Sequence, residues 1–170
     1  MVPDEIGLYA AASNAVLDNI KGHEDPKSLQ HIERFRISNE LGMAIAFQDK
    51  GDGQKALEHA NSAMKMVRDM ESSIGWDKNK DPVLFGNCYN NIGIAYYMLN
   101  NTEESFVNWE CSSQHFHRRT GKSELDRTSP VVNMSLVHCY RGEKEEAAKL
   151  LSPLYDLVET IGSGDGTSHE

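Results

Sequence analysis

Cys111, His115 and His117 lie close together and are the residues of this chain best suited to bind a metal ion. Cys111 and His115 are four residues apart, so both fall on one face of a helix, as two zinc ligands can. His117 points elsewhere, because it is only two residues from His115. His138 or Cys139 would have to complete the site. The simpler interpretation is that these are ordinary surface and interhelix residues, and we expect no metal.

Two further patterns could belong to an enzyme. Gly51-Asp52-Gly53 has the composition of a phosphate or calcium loop, but no strand precedes it and the closing glutamate of a calcium loop is missing. No serine lies in a Gly-x-Ser-x-Gly motif, which places a nucleophile at a strand-to-helix turn. The carboxylates cluster at helix starts, as in Thr102-Glu103-Glu104, where they complement the helix dipole. The sequence therefore predicts no catalytic residues, no cofactor and no enzymatic activity, and a small helical enzyme is kept only as the weakest alternative.

Composition limits the partners that this chain can bind. It has 170 residues and a formal net charge of −9, so a surface for nucleic acid or for an anionic membrane is not expected. Its three cysteines are odd in number and lie within predicted helices, which favours a reducing compartment. No apolar stretch approaches the length of a membrane span, and no basic segment precedes an apolar run as in a signal peptide. We expect a cytoplasmic protein.

Apolar residues recur at helical spacing along the chain and predict an all-α fold of about seven helices. The predicted helices are 3–20, 26–49, 53–74, 82–99, 102–119, 130–141 and 143–161. A pattern that ends one helix and begins the next recurs between helix pairs, at Gly22 to Pro26, Gly75 to Pro82 and Gly121 to Pro130. Glycine suits the end of one helix, and Asp or Ser followed by Pro suits the start of the next.

The segment from Tyr89 to Trp109 carries the most specific pattern in the chain. Its large, small and aromatic positions are Tyr89, Ile92-Gly93 and Tyr96, then Ser105 and Trp109 after the polar break Asn100-Asn101-Thr102. In size class and spacing this segment resembles the tetratricopeptide repeat (TPR), in the long-period form of kinesin light chains and related proteins. Weaker copies include Leu41-Gly42 and Met134-Ser135. Trp109 should be buried beside Gly93 within the middle helix pair, with Tyr96 nearby.

The resemblance implies a right-handed TPR-type solenoid of helical hairpins, in a single domain of residues 1–161. Residues 1–22 would form a capping helix, and residues 26–75, 82–121 and 130–161 would form three helix-pair repeats. With Leu41-Gly42 aligned on Ile92-Gly93, the first repeat carries two extra residues before its turn. Pro153 should kink the last helix. The tail 162–170 has the composition of a flexible linker and is predicted to be disordered.

In TPR solenoids the first helix of each repeat lines the concave groove, so the resemblance also predicts a binding surface. Its residues would be Asn39, Met43, Asn87, Asn90, Asn91, Ile94, Tyr97, Asn133, Leu136 and Tyr140. Asn91 and Asn133 occupy a place that resembles the asparagine clasping a peptide backbone in kinesin-light-chain-like repeats, whereas the first repeat has Glu40 there. A carboxamide suits this task because it both donates and accepts. The alternative is that these asparagines are merely solvated.

The predicted function is a protein–protein interaction module that binds a peptide or partner protein in the concave groove. No lysine maps to this groove, which disfavours the carboxylate-clamp type of TPR. The alternative is a self-associating scaffold or regulatory TPR subunit that acts through its exposed C-terminal helix. Helix 143–161 carries more apolar residues than one antiparallel partner covers, among them Leu150, Leu154 and Val158, so this helix is predicted to pack on a second subunit, as in a homodimer, or on another chain.

Overall fold

The computed structural model describes residues 5–20, 26–73, 83–116 and 128–163, and these residues form seven α-helices. The helices are α1 (Glu5–Ile20), α2 (Pro26–Asp49), α3 (Gly53–Ser73), α4 (Val83–Met98), α5 (Thr102–Phe116), α6 (Thr128–Tyr140) and α7 (Lys144–Ser163). None of the described residues lies in a β-strand. The all-α prediction is therefore confirmed, and the helix bounds agree closely with those expected from the sequence.

Some predicted features lie outside the described residues. These are the glycines of the three predicted linkers, at positions 22, 75 and 121, and residues 164–170 of the predicted tail. The first two tail residues, Gly162 and Ser163, instead belong to α7, and Pro153 lies within that helix. Over the part of the chain that is described, no helix combines the length and the apolar character needed to cross a membrane.

Three turns with one hydrogen-bonding pattern join α2 to α3, α4 to α5 and α6 to α7. Each contains a residue with positive φ, namely Gly51 at 76°, Asn100 at 61° and Gly142 at 78°. The next residue donates its N–H over 2.9 Å to the carbonyl five residues back, in the pairs Asp52–Phe47, Asn101–Tyr96 and Glu143–His138. Such a left-handed residue closes a helix, and glycine and asparagine adopt it most readily. Since the three turns match, residues at equal distances from them are equivalent.

This equivalence corrects the predicted register of the first hairpin. Seven residues before the positive-φ residue lie Ala44, Gly93 and Ser135, which are all small and all buried. Gly42 is instead exposed, and a Cβ built on it would meet no atom within 4 Å. The alignment of Gly42 with Gly93 was wrong, and the two extra residues of the first repeat disappear. The physical reason is that the turn, rather than a Leu-Gly pair, fixes where the two helices approach most closely.

Close contacts between small and aromatic residues fix the antiparallel hairpin of α4 and α5. A Cβ on Gly93 would lie 2.6 Å from two atoms of the Trp109 indole, and one on Gly86 would lie 2.6 Å from the Phe116 ring. Trp109 is only 2% exposed, so its predicted burial beside Gly93 is confirmed. The aromatic rings nearest to it include Tyr97 and Phe106. Tyr96, which was expected there, packs against the cluster formed by α2, α3 and α4.

Two apolar clusters make up the core, and α4 contributes to both. The first joins α2, α3 and α4 and contains Ile37, Leu41, Ala44, Ala60, Ala63, Met64, Val67, Met70, Leu84, Phe85, Cys88 and Ile92. The second joins α5, α6 and α7 through Trp109, Val131, Met134, Val137 and Leu154, with Ile94 of α4 packed against it. Packing contacts connect each hairpin with the next, and α4 contacts both α2 and α6. The hairpins therefore stack in chain order, and α2, α4 and α6 lie side by side.

Candidate functional site

The exposed side of α2, α4 and α6 forms rows of equivalent residues that cross the three helices. Six residues before each positive-φ residue lies an aliphatic row, in which Ile45 is 47% exposed, Ile94 is half-buried and Leu136 is 49% exposed. Parallel to it run two further rows at the same surface, Ser38–Asn87–Ser129 and Asp49–Met98–Tyr140. All nine residues are exposed or half-buried. We call this surface the first-helix face.

Two amide–amide hydrogen bonds tie the first helices together beside this face. The Nε2 of Gln48 donates to the Oδ1 of Asn91 over 3.2 Å, and the Nδ2 of Asn133 donates to the Oδ1 of Asn90 over 3.2 Å. The Nδ2 of Asn91 also donates over 2.9 Å to the backbone carbonyl of Asn87. Asn91 is only 7% exposed, so its carboxamide oxygen and nitrogen are both engaged inside the fold. The Asn91 side chain is thus a link between hairpins.

The Asn90–Asn133 pair is different, because it keeps hydrogen-bonding capacity at the surface. Both residues are half-buried. Within the described part of the chain, the Nδ2 of Asn90 and the Oδ1 of Asn133 have no partner, and neither atom is among those sealed from solvent. One donor and one acceptor therefore lie side by side, which matches the acceptor and donor of a peptide backbone. If the nitrogen and oxygen atoms of both carboxamides were exchanged, one free donor and one free acceptor would still remain.

The structure brings together eight of the ten residues predicted from the sequence. These are Asn87, Asn90, Asn91, Ile94 and Tyr97 of α4 with Asn133, Leu136 and Tyr140 of α6. Asn39 and Met43 lie elsewhere. Asn39 donates to Ser13 Oγ over 3.1 Å and to Asn14 Oδ1 over 3.2 Å, so it faces α1. Met43 is buried in the position equivalent to Ile92. Both were misplaced by the two-residue register error in α2.

Sequence reasoning missed the contribution of α2 to the first-helix face. Ser38 and Ile45 are exposed there, and Gly42 rather than Glu40 is equivalent to Asn91 and Asn133. Glu40 instead lies beside His59 of α3, with its Oε2 2.9 Å from Nδ1. The signal that identifies these positions is their distance from Gly51, which is the same as the distance of their equivalents from Asn100 and Gly142.

The first-helix face carries almost no charge. The helices α4 and α6 contain no Asp, Glu, Lys or Arg at all, although the whole chain has a net charge of −9. The imidazole of His138 lies at the turn after α6, where its Nδ1 is 2.6 Å from Glu143 Oε2. Asp49, at the end of α2, is the one charged residue in the three rows. Recognition at this surface must therefore rely on amide hydrogen bonds and apolar contact.

The residues considered for metal binding or nucleophilic chemistry do not form a reactive group. Burial raises the pKa of the Cys88 thiol to about 12, against a smaller opposing effect of the Arg68 charge. Burial, and then the charge of Glu110, raise the pKa of Cys111. The ring of His115 stacks on Phe85 and Tyr89. Among the described residues no three His, Cys, Asp or Glu side chains gather as metal ligands, and position 117 lies outside them.

A depression of about 450 Å³ lies on another side of the molecule, between α3, α4 and α5. Lys65, Arg68, Asp69 and Glu104 line it together with Tyr89 and Tyr96. Lys65 and Asp69 form an ion pair of 2.6 Å across one turn of α3. Two basic and two acidic side chains line this depression, so it carries no excess of either charge.

Comparison of the chain with protein-family profiles, with curated proteins and with solved structures gave no match.

Proposed function

We propose that this chain is a protein-interaction module, a TPR-type solenoid that binds an extended segment of a partner protein across its first-helix face. The observation that carries the proposal is the aliphatic row Ile45–Ile94–Leu136, in which Ile45 and Leu136 are exposed, beside the open donor and acceptor of Asn90 and Asn133. Mostly apolar surfaces with a few convergent polar groups are typical of ligand sites. The three matching turns support the repeated hairpin architecture. No catalytic residue or cofactor is needed for this activity.

The spacing of the row favours a particular ligand conformation. Neighbouring packed helices lie about 8–10 Å apart. A segment in the polyproline II conformation repeats every three residues, which at about 3.1 Å per residue is about 9 Å. Such a ligand can place every third side chain against successive members of the aliphatic row. The backbone between two of these side chains would then pass over Asn90 and Asn133 and use their free atoms.

The lack of charge on α4 and α6 specifies the ligand further. A segment with uncharged residues at its centre meets no unpaired charge on this face. Its affinity should therefore change little with salt, since screening acts on charged pairs. A clamp for carboxylates would behave in the opposite way and would weaken steadily with added salt.

Selection from a peptide library tests this function without requiring the partner protein itself. A phage-displayed library of random peptides is panned against the chain, and enriched peptides are synthesised and titrated by fluorescence anisotropy. We expect apolar residues at every third position and micromolar affinity. Leu136→Asp should weaken binding at least about tenfold, which corresponds to 1.4 kcal/mol. Leu136 is exposed, so circular dichroism should show an intact fold.

Val107→Asp is the matched control, because Val107 is equally exposed but belongs to α5, away from the first-helix face. Enriched peptides that bind the Leu136 and Val107 variants with equal affinity would reject the first-helix face as the binding surface. A selection that enriches no peptide able to bind the chain would reject the function itself.

A second candidate function is self-association through α7. Ala147 and Leu154 of this helix are buried, yet Tyr155 and Val158 are 71% and 55% exposed. The side chains at positions 157 and 161, which contributed to the sequence prediction, lie outside the described set. Sedimentation equilibrium over a wide concentration range tests this candidate. Dimers that are lost in Tyr155→Asp support it, and a wild-type chain that remains monomeric rejects it.

A further inference from the structure

One flank of α2 is uncovered, whereas the equivalent flank of α4 is covered by another helix. On α4, the residues Phe85 and Cys88 pack into the cluster shared with α2 and α3. Their equivalents on α2, Arg36 and Asn39, contact α1 through Asp18 and Ser13. The helix α1 therefore packs on α2 in the same position as α3 packs on α4. On its other flank α4 is covered by α2, and no described helix takes the corresponding place beside α2.

The exposure of equivalent residues shows the size of this uncovered surface. Sixteen residues before the turn, Leu84 of α4 is 6% exposed, whereas Phe35 of α2 is 64% exposed. Nine residues before the turn, Asn91 is buried by contact with α2, whereas Gly42 is exposed. The two α2 residues lie two helical turns apart on one side of the helix. We call this side, defined by Phe35 and Gly42, the open flank of α2.

Gly42 adds an independent observation. Five other glycines have reasons within the fold: a Cβ would lie within 3 Å of a neighbour at positions 53, 86 and 93, and φ is positive at positions 51 and 142. Gly42 has no such contact and lies in the middle of a helix of 24 residues. Glycine in the interior of a helix destabilises it relative to alanine. One use of glycine is to let another backbone approach closely, and the space beside Gly42 is open for such an approach.

We propose that the open flank of α2 is a docking site for an α-helix of a partner protein. The internal repetition of the molecule specifies a helix, because a helix covers the equivalent flank of α4. The repetition also specifies the direction in which the partner helix runs. The helix α2 runs antiparallel to α3 within their hairpin, and Gly53 at the start of α3 lies against Met98 at the end of α4, so α3 and α4 are antiparallel as well. The helix α2 is therefore parallel to α4, which it covers, and the partner helix would likewise run parallel to α2. With no side chain at Gly42, the partner can approach more closely than α2 approaches α4.

The residues with which α2 covers α4 indicate the chemistry of the partner helix. The carboxamide of Gln48 reaches Asn91, and Leu41 is equivalent to Asn90, whose side chain bonds the next first helix. These two positions are seven residues apart and so share one face of the helix. A segment that spans them is about 12 Å long at 1.5 Å per residue. The partner is therefore a helix whose narrow docking face combines an aliphatic residue with a carboxamide.

A peptide with the sequence of residues 26–50 is a suitable probe, because it contains the face with which α2 covers α4. Labelled with fluorescein at nanomolar concentration, where it does not self-associate, it is titrated with the full chain and followed by anisotropy. We expect saturable binding in the range of about 1–100 µM. Phe35→Asp and Gly42→Leu in the full chain should each weaken it at least about tenfold. Leu136→Asp, on the first-helix face, should leave it unchanged.

Both variants should keep the fold, since Phe35 is exposed and nothing lies within 4 Å of a Cβ at Gly42. Circular dichroism checks this. A probe carrying Leu41→Asp should not bind. Absence of saturable binding to the wild-type chain, or equal binding to Phe35→Asp, would overturn the proposal. If sedimentation shows a wild-type dimer that Phe35→Asp dissociates, the open flank belongs to a second copy of this chain, which overturns the assignment to a separate partner.

Discussion

The Nδ2 of Asn133 donates a hydrogen bond of 3.2 Å to the Oδ1 of Asn90, and this bond joins α6 to α4. Gln48 and Asn91 make a second bond of this kind between α2 and α4, again across 43 residues of sequence. Asparagines that the sequence assigned to ligand binding therefore also hold successive hairpins together. The two bonds differ in setting, because Asn91 is buried and Asn133 is half-buried.

This difference predicts unequal effects of alanine substitution on stability. Asn91→Ala should lower the free energy of unfolding by about 1–3 kcal/mol, because the buried carboxamide makes two hydrogen bonds, with Gln48 Nε2 and with the Asn87 carbonyl, each worth about 0.5–1.5 kcal/mol. Asn133→Ala should cost only about 0.5–1.5 kcal/mol. Urea denaturation measures both, and Asn61→Ala on the exposed surface of α3 serves as the control. A double-mutant cycle with Gln48→Ala should give a favourable coupling energy; zero coupling would contradict the hydrogen bond.

Trp109 is the residue whose truncation should cause the largest single loss of stability. It is the largest of the fully buried side chains and fills the space beside Gly93. Trp109→Ala should lower the free energy of unfolding by about 3–5 kcal/mol, as other large core truncations do. Val107→Ala, two residues away but exposed, should change it by less than about 0.5 kcal/mol. Similar melting temperatures for the two variants would contradict this placement of the indole.

The helices could be predicted from the sequence because their signals are local. Apolar spacing, the left-handed turn residues and the small residues facing Trp109 all act within one hairpin. The register of α2 could not be read from its Leu41-Gly42 pair, because such a pair resembles Ile92-Gly93 whether or not a second helix packs on it. Counting back from Gly51 would have identified Ala44 as the contact residue.

The role of the asparagines could not be predicted for a different reason. The repeat pattern shows correctly that Asn91 and Asn133 are equivalent, but it does not show which side chains reach them. Gln48 and Asn90 come from the preceding hairpin, so their positions depend on how the hairpins stack. That relationship is tertiary, and no local propensity encodes it. For the same reason, the contact of Asn39 with α1 could not be predicted from the sequence.

Asn100 should respond to substitution in opposite directions. Its φ of 61° is left-handed, whereas the equivalent turn positions hold Gly51 and Gly142. Asn100→Ala should cost about 1–2 kcal/mol, because a Cβ without a compensating polar group disfavours this conformation. Asn100→Gly should be neutral or should stabilise by up to about 1 kcal/mol. Urea unfolding of both variants tests this, and equal stability of the alanine and glycine variants would contradict the turn geometry.

The Cys88 thiol makes stability depend on pH at the alkaline end. Burial raises its pKa in the folded chain from 9.0 to about 12. Below pH 9 the thiol is protonated in both states, so this contribution is fully present. Between pH 9 and 12 the unfolded chain loses the proton first, and stability should fall. Cys88→Ala should flatten this fall in urea titrations taken at several pH values. An unchanged slope would contradict the burial of the thiol.

Reactivity provides a second measurement of the same groups. Cys139 is exposed, Cys111 is half-buried and Cys88 is buried. Ellman's reagent at pH 8 should therefore modify Cys139 rapidly and Cys111 slowly, because thiolate fraction and access both control the rate. Cys88 should react only after urea is added. Rapid reaction of three thiols in the native chain would contradict this order.

One substitution made at two glycines distinguishes the turn-based register from the one read off the sequence. At Gly93 an added Cβ would lie 2.6 Å from the buried Trp109 ring and 3.1 Å from the backbone oxygen of Ser105. The ring is enclosed and the backbone cannot yield, so Gly93→Ala should cost about 1–3 kcal/mol despite the better helix propensity of alanine. At Gly42 no atom lies within 4 Å, and only the propensity changes. Gly42→Ala should therefore raise the free energy of unfolding by about 0.5–1 kcal/mol.

Urea denaturation of the two variants beside the wild-type chain measures both effects under identical conditions. Opposite signs are expected, because Gly93 is required by contact inside the hairpin and Gly42 is not. Had Gly42 been the equivalent of Gly93, alanine would destabilise at both positions. A loss of stability in Gly42→Ala would therefore show that α2 packs two residues out of the register set by Gly51. It would also remove the open space at Gly42 from which a docked helix was inferred.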